Sequence, residues 1–344
     1  MPSTMNILSI PIGNNYPCFI VSEIGAMYEN LNGMKKMIKA SADAGADAVK
    51  VQTYRANTIA HPDSEFEFED GSIISQFEFF KKYEISDEAH YEMVKYAKEL
   101  GIIFFSTPSD IQDVDFLDSL RVPVLKTGSD DLTNYPFLEY IAKKGKPMIV
   151  STGMSTLAEV EEAVHTILNT GNDQLALLHC TVSYPPDPEY VNLNVINTLQ
   201  QAFDLPIGYS NHMKGIFPSY LAAAMGASIV EVHFTLDRTL KRPDYQVALE
   251  PAELKELVAQ IRAIPVLEGS KVKQITETEK KWRRNARKSL IAKRDKKAGD
   301  ILGPGDIKIM RPGTGAHPRY LQCYLGRELK KDLKENDIIT FDAI

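Results

Sequence analysis

The 344-residue chain is 44% hydrophobic and 25% charged, ordinary values for a globular protein with a sizeable core and more than one domain. Its net charge of −7 comes without a long block of like charge, which argues against nucleic acid as the main partner, and no apolar stretch reaches membrane-span length. Cys18, Cys180 and Cys323 are too few and too scattered for a disulfide framework; residues 1–13 lack a signal-peptide pattern, so a cytoplasmic location is expected.

Eight short apolar runs follow in order: Phe19–Ile24, Ala48–Thr53, Ile102–Thr107, Val122–Thr127, Pro147–Thr152, Leu175–Thr181, Leu205–Ser210 and Ser228–Thr235. Each reads as a strand buried on both faces. Each closes on polar residues: Glu23, Lys50 with Gln52, Ser106-Thr107, Lys126 with Ser129, Ser151-Thr152, His179 with Thr181, Ser210 with His212, and His233. Helical patterns lie between them. Asn32–Ala44 starts on Asn and stops at Gly45; Ser86–Leu100 stops at Gly101. Ser155–Asn169 carries a capping-box pattern of Thr156 and Glu159, and Gly215–Met225 and Pro251–Ile264 follow the last two strands. Eight β-then-α units predict one (β/α)8 (TIM) barrel, in which all strand ends converge on a single mouth that holds the active site. The connection Tyr54–Ile85 is longer than the others, acidic and aromatic, and reads either as a lid or substrate-facing wall or as a plain surface insertion.

After Ile264 the pattern changes. The expected organisation is a barrel over residues 1–267, a charged linker over 268–285, and a small, mainly β domain over 286–344. Its short β-like runs are Ser289–Ala292, Ile307–Met310 and Ile338–Phe341, separated by glycine and proline turns.

Chemistry concentrates at the predicted mouth. Lys50 and Lys126 there serve either as Schiff-base nucleophiles or as fixed cations for an anionic substrate. Thr107, Ser129, Ser151 and Ser210 add neutral donors, a set that suits a small phosphorylated carboxylate. His212 and His233 belong to adjacent strands, which lie only about 4.8 Å apart, so both imidazoles can reach one metal ion; hydrogen-bonding core histidines are the plain alternative. His179 reads as an inward packing or hydrogen-bonding group. Glu23, Asp131 and Asp244 are carboxylates able to activate water or shuttle a proton.

The motifs then point to a family. Lys50-x-Gln52-Thr53, Lys126-Thr127-Gly128-Ser129, Ser151-Thr152-Gly153-Met154, His179-Cys180-Thr181 with Tyr184-Pro185, Gly208-Tyr209-Ser210-x-His212 and Glu231-x-His233-Phe234-Thr235 resemble the sialic acid synthase family. The tail, with Arg287-Lys288-Ser289-Leu290 and Arg311-Pro312-Gly313-Thr314-Gly315, resembles its C-terminal antifreeze-like (SAF) domain. The resemblance runs in order along nearly the whole chain. It implies condensation of phosphoenolpyruvate with the open-chain aldehyde of an N-acetylmannosamine-type sugar. The products would be a nine-carbon 2-keto-3-deoxy acid and phosphate.

By the same resemblance, Lys50 and Thr107 face the phosphoenolpyruvate carboxylate, and Lys126, Ser129, Ser151 and Ser210 face its phosphate. His212 and His233 hold a divalent metal, Mn2+ first, with Mg2+ or Co2+ as substitutes. Glu23, Tyr28, Asp244 and Tyr245 meet the sugar, and Asp131 activates the attacking water. Arg311 reaches the sugar across a domain-swapped homodimer. Met27-Tyr28, Val182 and Asp244-Tyr245 depart from the family pattern, which leaves the acceptor open between sialic, legionaminic and pseudaminic types. A metal-dependent keto-acid aldolase and a non-catalytic carbohydrate-binding protein are the competing readings.

Overall fold

The computed structural model describes residues 4–25, 30–67 and 73–344. Two compact units emerge, Met1–Gly269 and Ser270–Ile344. The first begins with a hairpin of β1 (Met5–Ile7) and β2 (Ile10–Ile12). Then come β3 (Phe19–Glu23), α1 (Leu31–Ala44), β4 (Ala48–Thr53), α2 (Ala56–Ile59), β5 (Glu65–Glu67), β6 (Ile73–Ser75), α3 (Gln76–Tyr83), α4 (Asp87–Leu100) and β7 (Ile103–Pro108). The unit continues with α5 (Ile111–Ser119), β8 (Leu125–Thr127), α6 (Tyr135–Ala142), β9 (Met148–Ser151), α7 (Leu157–Leu168), β10 (Leu175–His179), α8 (Val195–Ala202), β11 (Ile207–Asn211), α9 (Phe217–Ala224), β12 (Ile229–His233) and α10 (Pro251–Glu268).

Strands β3, β4, β7, β8, β9, β10, β11 and β12 pair in parallel and close into a barrel. Every apolar run read as a strand contributes one. Alternation along each strand divides the apolar side chains into two layers. Ile20, Val49, Phe104, Leu125, Val150, Leu177 and Val230 join the helices in an outer core. Phe19, Val21, Ala48, Phe105, Val124, Ile149, Leu178 and Ile229 fill the barrel interior, together with Met5, Ile7 and Ile12 of the N-terminal hairpin. The hairpin therefore belongs to the basal core; its segments, only three residues each, are too short to carry a periodic signal of their own.

Helix punctuation follows local chemistry. The Asn that caps α1 is Asn30, accepting from Gly33 N at 3.0 Å, and not the predicted Asn32; Gly45 ends the helix at φ 86°. Thr156 and Glu159 form the expected capping box of α7. Tyr54–Ile85 is not featureless: it contains α2, the β5–β6 pair and α3.

The second unit contains α11 (Glu277–Ala286), capped by a Thr276–Glu279 box, the antiparallel pair β13 (Ser289–Ala292) and β14 (Ile307–Met310), and the short α12 (Leu321–Tyr324). Its core comprises Leu290, Leu302, Ala316, Tyr324, Leu329, Leu333 and Ile339. The run Ile338–Phe341 is not a strand. It makes one bridge, Ile338 to Ile291, and then turns into a short 3-10 helix at Phe341. Ser289 Oγ donates to Pro312 O at 2.6 Å and accepts from Gly315 N at 2.9 Å, which ties down the turn that follows Arg311.

Candidate active site

One period up from the basal core, the inward positions become polar. Val21 is followed by Glu23, Ala48 by Lys50, Val124 by Lys126, Ile149 by Ser151, and Ile229 by Glu231 and His233. These side chains line one cavity of about 260 Å³ at the carboxyl ends of the strands, joined by Gln52, Thr107, Ser129, Asp131, Ser210 and His212. Ten residues singled out from the sequence are thereby brought together: Glu23, Lys50, Thr107, Lys126, Ser129, Asp131, Ser151, Ser210, His212 and His233.

The two lysines are not rim residues; each is only 3% exposed. Lys50 Nζ pairs with Glu23 Oε2 and lies 3.7 Å from Glu231 Oε1. Lys126 Nζ lies 3.3 Å from the same Glu231 oxygen, Ser210 Oγ donates to it at 3.3 Å, and Lys50 Nζ donates to Thr107 Oγ1 at 3.2 Å. Three donors from three strands thus converge on one carboxylate oxygen. Burial works against the Glu231 charge, but Lys126 and Lys50 outweigh it and hold the carboxyl below the usual carboxylate range. Burial also depresses Lys126; at Lys50 the carboxylates of Glu23 and Glu231 outweigh burial and raise it. Glu231 was missed as a site residue, although its place two residues before His233 on a strand puts both side chains on the same face.

Ser129 is held by its neighbours. Its hydroxyl accepts from Gly153 N at 3.0 Å and sits 3.1 Å from Cys180 Sγ. A Cβ at position 153 would lie 2.8 Å from Ser129 Oγ and 2.9 Å from Cys180 Sγ, so a glycine is required there. Asp131, on a 3-10 turn after β8, accepts from Asn134 Nδ2 at 3.0 Å; burial dominates and pushes it up to about 6.

His212 and His233 rings are 5.3 Å apart. His212 Nδ1 bonds Thr181 O at 2.8 Å, which leaves Nε2 with its lone pair toward the cavity. Burial, with His233 beside it, pushes His212 down to about 3, so the ring is neutral. Tyr184 stacks on His212 at 4.1 Å and meets His233 edge-on at 5.6 Å, packing that the sequence reading did not assign. Asp244 does not line the cavity, but its Oδ2 lies 3.7 Å from His233 Nδ1. Among the described residues no group of three or more His, Cys, Asp and Glu side chains forms a complete metal cage. Two imidazoles with a free nitrogen still fit an open site that takes its other ligands from water and substrate.

Other expectations fall elsewhere. His179, as expected, is a hydrogen-bonding group, its Nε2 2.8 Å from Val191 O. Tyr245 is half-buried and outside the cavity lining, Arg311 is exposed in the second unit, and Tyr28 lies outside the described residues. Among the described residues no helix is long and apolar enough to cross a membrane.

Comparison with known proteins agrees with this geometry. The NeuB family model matches residues 37–273, and the SAF domain model matches residues 287–344. The Campylobacter jejuni protein named N,N'-diacetyllegionaminic acid synthase is 39% identical over 327 residues, covering 93% of this chain and 98% of its own. The N-acetylneuraminate-9-phosphate synthase of Homo sapiens is 36% identical, covering 97% of this chain and 94% of its own. The crystal structure of the N-acetylneuraminic acid (sialic acid) synthetase from Leptospira borgpetersenii, in complex with citrate, is similar at TM-score 0.74 and 32% identity, covering 82% of this chain and 95% of that one.

Proposed function

Because the chain belongs to the NeuB family and ends in a SAF domain, we propose that it condenses phosphoenolpyruvate with the open-chain form of an acetamido sugar, giving a nine-carbon 2-keto-3-deoxy acid and phosphate. The observation that carries this reading is the convergence of Lys50, Lys126 and Ser210 on a single carboxylate oxygen of Glu231. Buried cationic and hydroxyl donors gathered at the mouth can also serve an anionic substrate bound beside that carboxylate. The carboxylate of phosphoenolpyruvate then meets Lys50 and Thr107, and its phosphate meets Lys126, Ser129, Ser151 and Ser210.

In the reaction, C3 of the enol attacks the aldehyde carbon of the sugar, whose C=O π bond breaks and whose oxygen takes up a proton that the attacking water gives up. Water adds at C2, and phosphate leaves as the C2–O bond breaks. Asp131 accepts the proton of that water, a task its raised carboxyl suits. His212 and His233 would hold a divalent ion, Mn2+ first and Mg2+ or Co2+ as substitutes, which supplies Lewis-acid polarisation of the sugar carbonyl when bound. Glu23 and Asp244 orient the acceptor hydroxyls, and Tyr28 and Tyr245 bear on which acceptor is taken. Arg311 contacts the acceptor from the SAF domain of a partner in a domain-swapped homodimer. We place the reaction in the cytoplasm.

The test is phosphate release from phosphoenolpyruvate with Mn2+ and a panel of acetamido sugars. Release should need both substrates, stop in excess chelator and return with Mn2+. Borohydride should trap no adduct. A pyruvyl adduct on Lys50 or Lys126 would instead favour the aldolase, and full turnover in chelator would remove the metal.

A further inference from the structure

A serine hydroxyl has one proton to give and two lone pairs to fill, so its neighbours decide whether it can act as a donor to an anion. At Ser129 one lone pair is filled by Gly153 N at 3.0 Å. The side-chain partner of this hydroxyl is Cys180 Sγ at 3.1 Å, where either atom can donate. Ser129 and Cys180 both line the active-site cavity. The other polar side chains of this corner are committed elsewhere. Thr152 Oγ1 donates to Leu178 O at 3.0 Å, Thr181 Oγ1 donates to Tyr190 O at 3.2 Å, and His179 Nε2 bonds Val191 O at 2.8 Å. Val182 closes the corner with carbon: a Cβ at position 153 would lie 2.7 Å from its Cγ2.

Cys180 is only 5% exposed. Burial raises its thiol and outweighs Ser129, Lys126 and Gly153, which act in the other direction. The sulfur therefore keeps its proton and can donate or accept. Two arrangements of the pair are open. If the Ser129 hydroxyl donates to sulfur, it has no proton left for an anion. If the Cys180 thiol donates to Ser129, both lone pairs of the hydroxyl are filled, one by sulfur and one by Gly153 N. The hydroxyl proton is then what remains for a substrate. Exchange between the two arrangements costs little, because a thiol is a weak donor and a weak acceptor alike.

On the condensation proposed above, we infer that Cys180 is a positioning residue: its S–H donates to Ser129 Oγ when phosphoenolpyruvate binds and makes the serine a donor to the phosphate. The thiol does not touch the substrate. It acts through the proton of Ser129.

Calorimetry with phosphoenolpyruvate and no acceptor reads this step without turnover. Cys180→Ala should weaken binding by about 3- to 10-fold, the scale of one hydrogen bond. Cys180→Ser, which restores a donor, should lose less. In a Ser129→Ala background, Cys180→Ala should cost nothing further, because the group it aims is gone. A packing role would cost the same in both backgrounds. The dissociation constant does not depend on the folded fraction, which enters only the stoichiometry.

The intact protein supplies a second measurement that needs no variant to fold. The infrared S–H stretch of Cys180 should move to lower frequency when phosphoenolpyruvate is added, as the thiol changes from acceptor to donor. Cys18 and Cys323 lie outside the cavity lining and should not respond. An unmoved S–H band overturns the inference. So does equal weakening by Cys180→Ala in the two backgrounds, unweakened binding in Cys180→Ala, or Cys180→Ser no better than Cys180→Ala. Each of these leaves the condensation standing, since phosphoenolpyruvate still binds the intact protein. Failure of phosphoenolpyruvate to bind the intact protein would remove the condensation and this inference together.

Discussion

The two ends of the barrel are built from the same strands and opposite chemistry. At the base, Phe19, Val21, Phe105, Val124, Ile149 and Leu178 pack with Met5, Ile7 and Ile12 into a dry cluster. One inward position further along, Glu23, Lys50, Lys126 and Glu231 bury four charges within reach of one another. The base gains stability from burial of apolar area. The mouth gives stability up, since desolvation of paired charges rarely repays itself against apolar side chains of the same size. That cost is retained where a substrate must be bound, which is why the difference between the two ends locates the site.

Breaking the mouth should have the largest effect. Lys126→Met leaves the Glu231 carboxylate buried with Lys50 as its remaining cation, and loss of one partner of a buried pair costs about 3–5 kcal/mol. Denaturant titration should show that loss, and calorimetry should show weakened phosphoenolpyruvate binding. Adding Glu231→Met should restore much of the stability but none of the binding. Recovery of both would mean that the charges are not a substrate site.

Asp131→Asn separates chemistry from folding at the same end. It should lower kcat by about 10²–10⁴-fold, the usual weight of a general base, with stability unimpaired. The intact protein should lose activity as pH falls through about 6, where the carboxyl takes up its proton, and the variant should lack that limb. An identical pH profile in both would take the base role from Asp131.

At the base the expectation reverses. Ile12→Ala should cost about 2–4 kcal/mol by cavity formation and leave the KM for phosphoenolpyruvate unchanged. A raised KM would show that the two ends are mechanically linked.

The smallest effect comes from the helical layer around the strands. Asp113 in α5 is buried, keeps one oxygen without a partner, and is pushed up to about 6 chiefly by burial. A carboxyl raised in the folded state contributes stability that is fully present below its unfolded pKa and is lost as pH rises through about 6. Asp113→Asn should therefore stabilise the protein by on the order of 1 kcal/mol at pH 7.5 and by less at pH 5. Thermal melts at the two pH values would show it; a larger gain at pH 5 would contradict the sign.

The contrast between base and mouth is largely legible in the sequence. Each barrel strand shows as a short β-branched run that ends on polar residues, because burial on both faces leaves no freedom for anything else. Nine of the proposed site residues can be gathered from strand ends alone, because closure of the barrel turns that one-dimensional pattern into a ring. Glu231 escapes because a charge inside a strand looks like an exception until the facing lysines are known. The role of Tyr54–Ile85 escapes for a related reason: whether an aromatic segment is a surface insertion or a cavity wall depends on where its ends are pinned.

By itself, then, the order of residues determined the number of barrel strands, the capping box of α7, and which polar side chains gather at the barrel mouth. Those properties depend on neighbours within a few positions or on strict alternation. Tertiary structure alone decided that Lys50, Lys126 and Ser210 meet at one oxygen of Glu231, that Tyr184 lies against both histidines, and that Ile59 and Phe80 close one wall. Such contacts join residues as remote in the chain as Lys50 and Glu231, and their distances follow from barrel closure and not from spacing along the chain.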